Sequence, residues 1–178
     1  MKLFPWKAPG PYRVAFSTRL GGVSDGPFES LNLGILTSDE PERVVENRRR
    51  LCAAMEADAD TATMAWQVHG ADVTEAKSRG ILERTVFERC DGLWSDRHGQ
   101  AMVLLTADCL PVALARPNGT PGLAVLHVGW KGLLEGIVAA GVGALGSGPL
   151  AAAIGPGIGP CCYEVGEEVA APYRERFG

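Results

Sequence analysis

The chain has 178 residues, of which 46% are hydrophobic and 21% charged, and its 17 basic and 21 acidic side chains give a formal net charge of -4. These values are typical of an ordinary globular protein with one sizeable core. They exclude a strongly basic nucleic-acid-binding domain, because the one block of basic residues is Arg48-Arg49-Arg50. We expect a single domain over residues 1–178, with this triplet on the solvent-exposed face of a helix.

The N-terminal residues and the cysteines favour a cytoplasmic protein. The N-terminal stretch MKLFPWKAPGP lacks the apolar region of a signal peptide, and no apolar run approaches membrane-spanning length. The cysteine count of 5 is odd, and Cys161 and Cys162 are neighbours, a poor geometry for an ordinary disulfide. We therefore expect no membrane partner, and thiols that serve metal binding or catalysis rather than a disulfide framework.

The predicted elements of the first half are short strands and one helix. Residues 14–19 form the first predicted strand. Residues 41–58 have Pro41 at their start and apolar residues at helical spacing, which predicts a helix. Three short apolar strands follow, at 63–68, 91–95 and 101–107.

The second half predicts a hairpin followed by a helix rich in glycine. The apolar runs 112–116 and 122–128 flank PNGTP, whose Asn-Gly pair is a hairpin signal. Residues 130–146 predict a helix packed closely on the sheet, and residues 150–155 a buried strand. The final stretch EVGEEVAAPYRERFG predicts a helix that is interrupted or ends near Pro172. This order predicts a mixed α/β fold in which helices cover mainly apolar strands.

Three of the apolar strands end in side chains that bind metals. The runs AWQV, VLLTAD and LAVL lead to His69, Cys109 and His127 respectively. Imidazole nitrogen and thiolate sulfur suit zinc, and three protein ligands leave one position for water, which is the catalytic pattern. The spacing matches no short zinc motif, so each residue taken alone has an ordinary alternative. A histidine at a strand end can be a hydrogen-bonded structural residue, and a buried cysteine can be a small hydrophobic residue.

Seven motifs in the same order resemble the YfiH family (DUF152): FSTRLGGVS, SLNLG, ENRRRL, WQVHG, TADCLPV, HVGWKGL and IGPGIGPCCYEVGEEV. Members of this family have been described as multicopper polyphenol oxidases or laccase-domain proteins, peptidoglycan editing factors and purine nucleoside phosphorylases. The resemblance runs from about Phe16 to Glu168. Family members continue beyond the last motif, so we expect this chain to lack the family's C-terminal elements.

The resemblance implies a zinc site formed by His69, Cys109 and His127, the residues that the strand ends already suggest. It implies a layered α/β/β/α sandwich similar to the catalytic domain of cytotoxic necrotizing factor. The implied activities are phosphorolysis of adenosine, inosine and methylthioadenosine, and deamination of adenosine. The implied partners are therefore a purine nucleoside and phosphate, whereas the sequence leaves the oligomeric state open.

Four further residues are candidates for catalysis or substrate binding. Asp108 is either a proton shuttle next to Cys109 or a carboxylate that orients a ligating histidine. Arg19 is the candidate for binding phosphate, with backbone N–H groups of the Gly21-Gly22 turn beside it. Asn32 and Gln67 can read a purine edge or a ribose, or can instead cap a loop and face solvent respectively.

Other functions remain compatible with the same residues. An enzyme that edits a peptidoglycan precursor in the cytoplasm can use the same site on another substrate. A laccase-like copper oxidoreductase is chemically reasonable, because ligands of this nitrogen and sulfur type also bind copper. A cysteine hydrolase would use Cys109 as nucleophile and His127 as base. The non-enzymatic alternative is an inactive domain that binds a metal or a partner.

Overall fold

The computed structural model describes residues 1–83 and 87–178, which form ten strands and four α-helices. The strands are β1 (Leu3–Trp6), β2 (Val14–Ser17), β3 (Thr63–Trp66), β4 (Val73–Glu75), β5 (Glu88–Arg89), β6 (Gly92–Ser95), β7 (Met102–Val103), β8 (Leu110–Ala115), β9 (Leu123–Val128) and β10 (Ala151–Ile154). The helices are α1 (Pro41–Ala54), α2 (Trp130–Glu135), α3 (Ile137–Leu145) and α4 (Glu167–Phe177). Among these described helices, none combines the length and the apolar content that crossing a membrane requires.

The strands form three sheets. The largest has five strands in the order β10-β8-β9-β6-β4, the second has the order β5-β3-β7, and β1 pairs with β2 in a separate ribbon. The predicted hairpin is confirmed: β8 and β9 are antiparallel neighbours, with Pro111 opposite His127. Because antiparallel strands run in opposite directions, the start of β8 lies beside the end of β9.

Three apolar clusters show that the elements stack in four layers. One cluster packs α3 on one face of the five-stranded sheet, through residues such as Leu126 and Ile137. A second cluster joins the other face of that sheet, through Leu93, to the three-stranded sheet. A third cluster, which includes Cys52 and Met64, packs the three-stranded sheet on α1. The predicted mixed α/β fold with an α/β/β/α order is therefore confirmed, with alternate strand residues facing opposite layers.

Helix α1 begins at Pro41 as predicted, but the expectation of an exposed arginine triplet is wrong for its first member. Arg49 and Arg50 are exposed, whereas Arg48 is 2% exposed. Its guanidinium donates hydrogen bonds to the carbonyl oxygens of Leu33 and Ile81. Backbone carbonyls can satisfy a buried guanidinium because its five donors form a fixed fork. Arg48 thus ties the segment after β2 to α1.

Two predicted elements are shorter or broken. The predicted strand at 101–107 is reduced to β7, because the N–H and carbonyl of Leu105 bind the side-chain amide of Gln67 instead of a neighbouring strand. The predicted helix at 130–146 is two helices separated at Gly136, whose φ of 97° lies in the left-handed region. A glycine adopts that conformation without steric cost, and here its N–H caps the end of α2.

Three further expectations change in detail. Strand β1 was not predicted and pairs with the predicted first strand. Strand β10 is not buried, because it lies at the sheet edge and leaves Ile154 67% exposed. Pro172 lies inside α4 without ending it. The next residue, Tyr173, donates its hydroxyl to the Trp130 carbonyl and thereby fastens α4 to α2.

Replacing Arg48 by alanine should lower the free energy of unfolding by about 3 kcal/mol, because buried carbonyls lose charge-assisted hydrogen bonds. Arg49→Ala is the matched control, since this neighbouring arginine is exposed, and it should change stability by no more than about 0.5 kcal/mol. Urea unfolding followed by circular dichroism measures both. Equal midpoints for the two variants would contradict a structural role for Arg48.

Candidate metal centre

The structure brings together the three side chains that the sequence predicted as metal ligands. One ligand atom from each of His69, Cys109 and His127 lies within 4.8 Å of the others. The two imidazole rings meet edge to face, with centroids 4.8 Å apart and planes inclined by 76°. His127 is buried, Cys109 is half-buried and His69 is exposed, so the cluster opens to solvent on one side.

The antiparallel pairing of β8 and β9 places two of these residues. His127 is the penultimate residue of β9, and Cys109 immediately precedes β8. The expectation that Cys109 ends a strand is wrong, because β7 stops at Val103 and the chain turns before Cys109. Cys109 nevertheless lies beside His127, because the start of β8 and the end of β9 are adjacent.

His69 is presented by a turn after β3 that the buried Asp91 carboxylate holds. His69 has a φ of 62°, an uncommon value for a residue with a side chain. One oxygen of Asp91 accepts the His69 N–H at 2.9 Å, and the other accepts those of Val68 at 3.1 Å and Gly70 at 2.8 Å. These three bonds stabilise a backbone conformation that the residues do not prefer on their own.

Asp91 also fixes the second histidine. His127 Nδ1 lies 2.8 Å from the Asp91 oxygen that accepts the His69 N–H, and the Asp91 side chain is completely buried. Burial raises the pKa of Asp91, but hydrogen bonds from His127 and from the backbone of residues 68–70 outweigh burial and lower the pKa overall. The carboxylate is therefore ionised and accepts a hydrogen bond from Nδ1–H of His127, which leaves Nε2 of His127 available to a metal.

The sequence analysis missed Asp91 and considered Asp108 for this orienting role. The side chain of Asp108 is exposed and has no hydrogen-bond partner among residues 1–83 and 87–178. The available signal was an acidic residue at the head of the apolar run DGLWS, next to Cys90, which is itself buried. Of the two carboxylates, the structure places Asp91 against the histidines.

The environment of Cys109 suits a metal ligand better than a nucleophile. Burial first, and then the negative charges of Asp108 and Asp91, raise the pKa of the Cys109 thiol. A nucleophilic cysteine needs the opposite shift, which a neighbouring cation usually supplies. A bound metal ion is such a cation and deprotonates a coordinating thiol.

Two glycines of the HVGWKG motif permit the close packing around the cluster. A Cβ atom on Gly129 would lie 3.1 Å from Cδ2 of His69 and 3.3 Å from the Cys109 sulfur. A Cβ atom on Gly132 would lie 2.4 Å from the Gly70 carbonyl oxygen, so α2 packs directly on the turn that carries His69. The first turn of α2 therefore forms a wall of the site and leaves no room for larger residues.

Two predicted substrate-binding residues use their amides within the protein. Asn32 donates to Thr37 and Asp39 through Nδ2 and accepts the Gly34 N–H, so it organises its own loop. Gln67 pairs with both backbone groups of Leu105. Among the described residues, neither amide forms a hydrogen bond with a member of the cluster, and the roles of Asn32 and Gln67 in substrate binding remain predictions.

Arg19 and Asn32 both line a cavity of about 920 Å³. The Nε of Arg19 donates to the Glu29 carbonyl, and within the described part of the chain its terminal nitrogens have no partner. The N–H groups of the Gly21-Gly22 turn are occupied by the Ser30 hydroxyl. The three clustered side chains do not line this cavity, although Ala107 and Pro111, on either side of Asp108-Cys109, do.

Comparison with known proteins identifies a matching family model and relatives that share the name purine nucleoside phosphorylase. A family model described as multi-copper polyphenol oxidoreductase laccase matches residues 13–178. A purine nucleoside phosphorylase of Pseudomonas aeruginosa is 43% identical over 168 residues, which cover 92% of this chain and 64% of that protein. Purine nucleoside phosphorylase YfiH of Escherichia coli is 39% identical over 174 residues, covering 97% of this chain and 68% of that protein. The chain thus spans about two thirds of the length of these relatives.

Solved structures show the same fold. The crystal structure of a Bacillus licheniformis protein YfiH superposes with a TM-score of 0.86 at 32% identity, over 93% of this chain and 66% of that one. YlmD from Geobacillus stearothermophilus gives a TM-score of 0.83 at 35% identity, over 89% of this chain and 63% of that one.

Replacing Asp91 by asparagine should weaken zinc binding by roughly 10–100-fold, the usual cost of losing an outer partner of a ligating histidine. An amide has a single acceptor oxygen, so it cannot accept from His127 and from all three turn N–H groups at once. Competition with a chromophoric chelator measures the affinity. Asp108→Asn is the matched control, because that carboxylate is exposed and unpaired among the described residues, and it should change the affinity far less. Unchanged zinc affinity in Asp91→Asn would contradict the role assigned to Asp91.

Proposed function

The chain belongs to the family described as multi-copper polyphenol oxidoreductase laccase, and from this premise we propose that it is a zinc-dependent purine nucleoside enzyme. The proposed reactions are phosphorolysis of adenosine, inosine and methylthioadenosine, and deamination of adenosine. The observation that carries the proposal is the cluster of His69, Cys109 and His127 within 4.8 Å, open to solvent on the His69 side. Curated relatives in three bacteria bear the name purine nucleoside phosphorylase, which supports this reading.

The donor set fits zinc. Two imidazole nitrogens and one thiolate are ligands that zinc takes in tetrahedral sites, and three protein ligands leave the fourth position to water or substrate. The same set accepts copper, so the donors alone do not select the metal. Multi-copper chemistry needs several sites, whereas within residues 1–83 and 87–178 this is the one group of candidate ligands. The donor inventory therefore favours a single-metal enzyme.

When bound, the ion would act as a Lewis acid and would lower the pKa of a water molecule toward neutral pH. The protein's own groups have three tasks around it. Asp91 holds His127 in one tautomer and holds the turn that presents His69, so the ligands are preorganised. The role proposed for Asp108, which is exposed and adjacent to Cys109, is to carry a proton to the departing purine nitrogen or amino group.

Arg19 is the group proposed to hold phosphate. Its guanidinium is anchored through Nε to the Glu29 carbonyl, which leaves its terminal nitrogens for a bidentate contact with an anion. The cavity that Arg19 lines has a volume suited to a small ligand and extends to Ala107 and Pro111, which are each two residues from Cys109 in the chain.

Chromatography of the products formed from adenosine by zinc-loaded protein, with and without phosphate, tests this proposal. Inosine in both conditions establishes deamination, and adenine formed only with phosphate establishes phosphorolysis. Cys109→Ala should lower either rate by roughly 100-fold or more, because losing a ligand costs more than the 10–100-fold typical of an outer partner. Cys161→Ala is the matched control, since that thiol is exposed and outside the cluster, and it should retain the rate.

Removing the metal with a chelator should abolish both products, and adding zinc back should restore them. Unchanged adenosine in every condition, with zinc bound, would contradict the nucleoside proposal. A rate that survives the chelator but is lost on alkylation of Cys109 would instead favour a cysteine hydrolase.

A further inference from the structure

We propose that Cys161 and Cys162 form a second thiol site, separate from the metal centre, that chelates trivalent arsenic and chemically similar soft centres through both sulfurs. The two sulfur atoms lie 3.2 Å apart, in hydrogen-bond contact. Both residues are exposed, as is the whole segment 163–168 that follows them. A vicinal pair that is open to solvent is therefore presented on the protein surface.

The backbone around the pair is held in place. The N–H of Cys162 donates to the Gly159 carbonyl at 3.0 Å, which closes a turn around Pro160. Before this turn, the N–H of Ile158 donates to the Asp108 carbonyl at 2.8 Å. These bonds hold the backbone that carries the two adjacent thiols, which lowers the entropy cost of binding a shared ligand.

The other three cysteines offer no comparable site. Cys52 and Cys90 are buried, and burial raises the pKa of each thiol. Cys109 belongs to the His–Cys–His cluster, whose other two members are imidazoles. Because all five cysteines lie in the described part of the chain, Cys161 and Cys162 are its one exposed pair of thiols.

An ordinary disulfide is a poor alternative product for this pair. Adjacent Cα atoms are about 3.8 Å apart. This separation is shorter than the roughly 4.4–6.8 Å that disulfides usually span. Closing the bond would therefore strain the backbone and give a readily reduced product. A ligand that inserts between the sulfurs forms a larger ring and relieves that constraint.

The proposed reaction takes both thiols in their protonated form. With an organoarsenic(III) oxide, the arsenic–oxygen double bond breaks, two arsenic–sulfur bonds form, and the two thiol protons leave with the oxygen as water. After the first arsenic–sulfur bond forms, the second thiol acts at high effective concentration. Two-point attachment is then stronger than one-point attachment by roughly 100-fold or more.

Intact-protein mass spectrometry with phenylarsine oxide, in the presence of a phosphine reductant and on zinc-loaded protein, tests the site. The expected result is one adduct per chain that an added small dithiol removes and a small monothiol does not. Cys161→Ser and Cys162→Ser should each lose the adduct, whereas Cys109→Ser should keep it. Peptide mapping of the unsubstituted protein should place arsenic on the peptide that contains both cysteines, which needs no variant to fold.

Absence of an adduct on the unsubstituted protein would overturn the proposal. An adduct that persists in the double variant Cys161→Ser, Cys162→Ser, or that disappears in Cys109→Ser, would also overturn it. Loss of the adduct in Cys109→Ser would place the arsenic at Cys109, whereas persistence in the double variant would place it on one of the other three cysteines. The zinc content of each variant, measured in the same samples, separates this outcome from failure of the proposed nucleoside chemistry, which the arsenic site does not require.

Discussion

The candidate metal centre depends on one buried carboxylate. Asp91 accepts hydrogen bonds from three backbone N–H groups of the turn 68–70 and from Nδ1–H of His127, so a single residue sets the position of both histidines. A buried carboxylate is costly unless it is fully hydrogen-bonded, and these four contacts offset that cost. The same contacts preorganise the ligands, because His69 has a backbone conformation that it would rarely adopt alone.

The layered fold supplies the framework around that carboxylate. Asp91 precedes β6, which pairs with β9, and β9 carries His127 next to the start of β8 and Cys109. Glycines at the start of α2 allow the helix to approach the turn within contact distance. The site therefore requires four separate chain segments to meet at one end of the central sheet, and rigid strands hold three of them.

The sequence predicted the residues of the cluster but not their support. The meeting of His69, Cys109 and His127 was predictable because residues of metal-binding type at strand ends are a local signal that the family motifs reinforce. Asp91 was not predictable, because its role depends on strand register and on a turn 21 to 23 residues earlier in the chain. Burial of Arg48 was missed for a similar reason, since its partners are carbonyls from distant loops.

Anomalous diffraction at the zinc edge, from crystals of the zinc-loaded protein, tests the central claim most directly. We predict one strong peak bonded to the Cys109 sulfur, to a ring nitrogen of His69 and to Nε2 of His127, with Nδ1 of His127 still on Asp91. A peak outside this cluster, or coordination through Nδ1 of His127 with Asp91 released, would contradict the account.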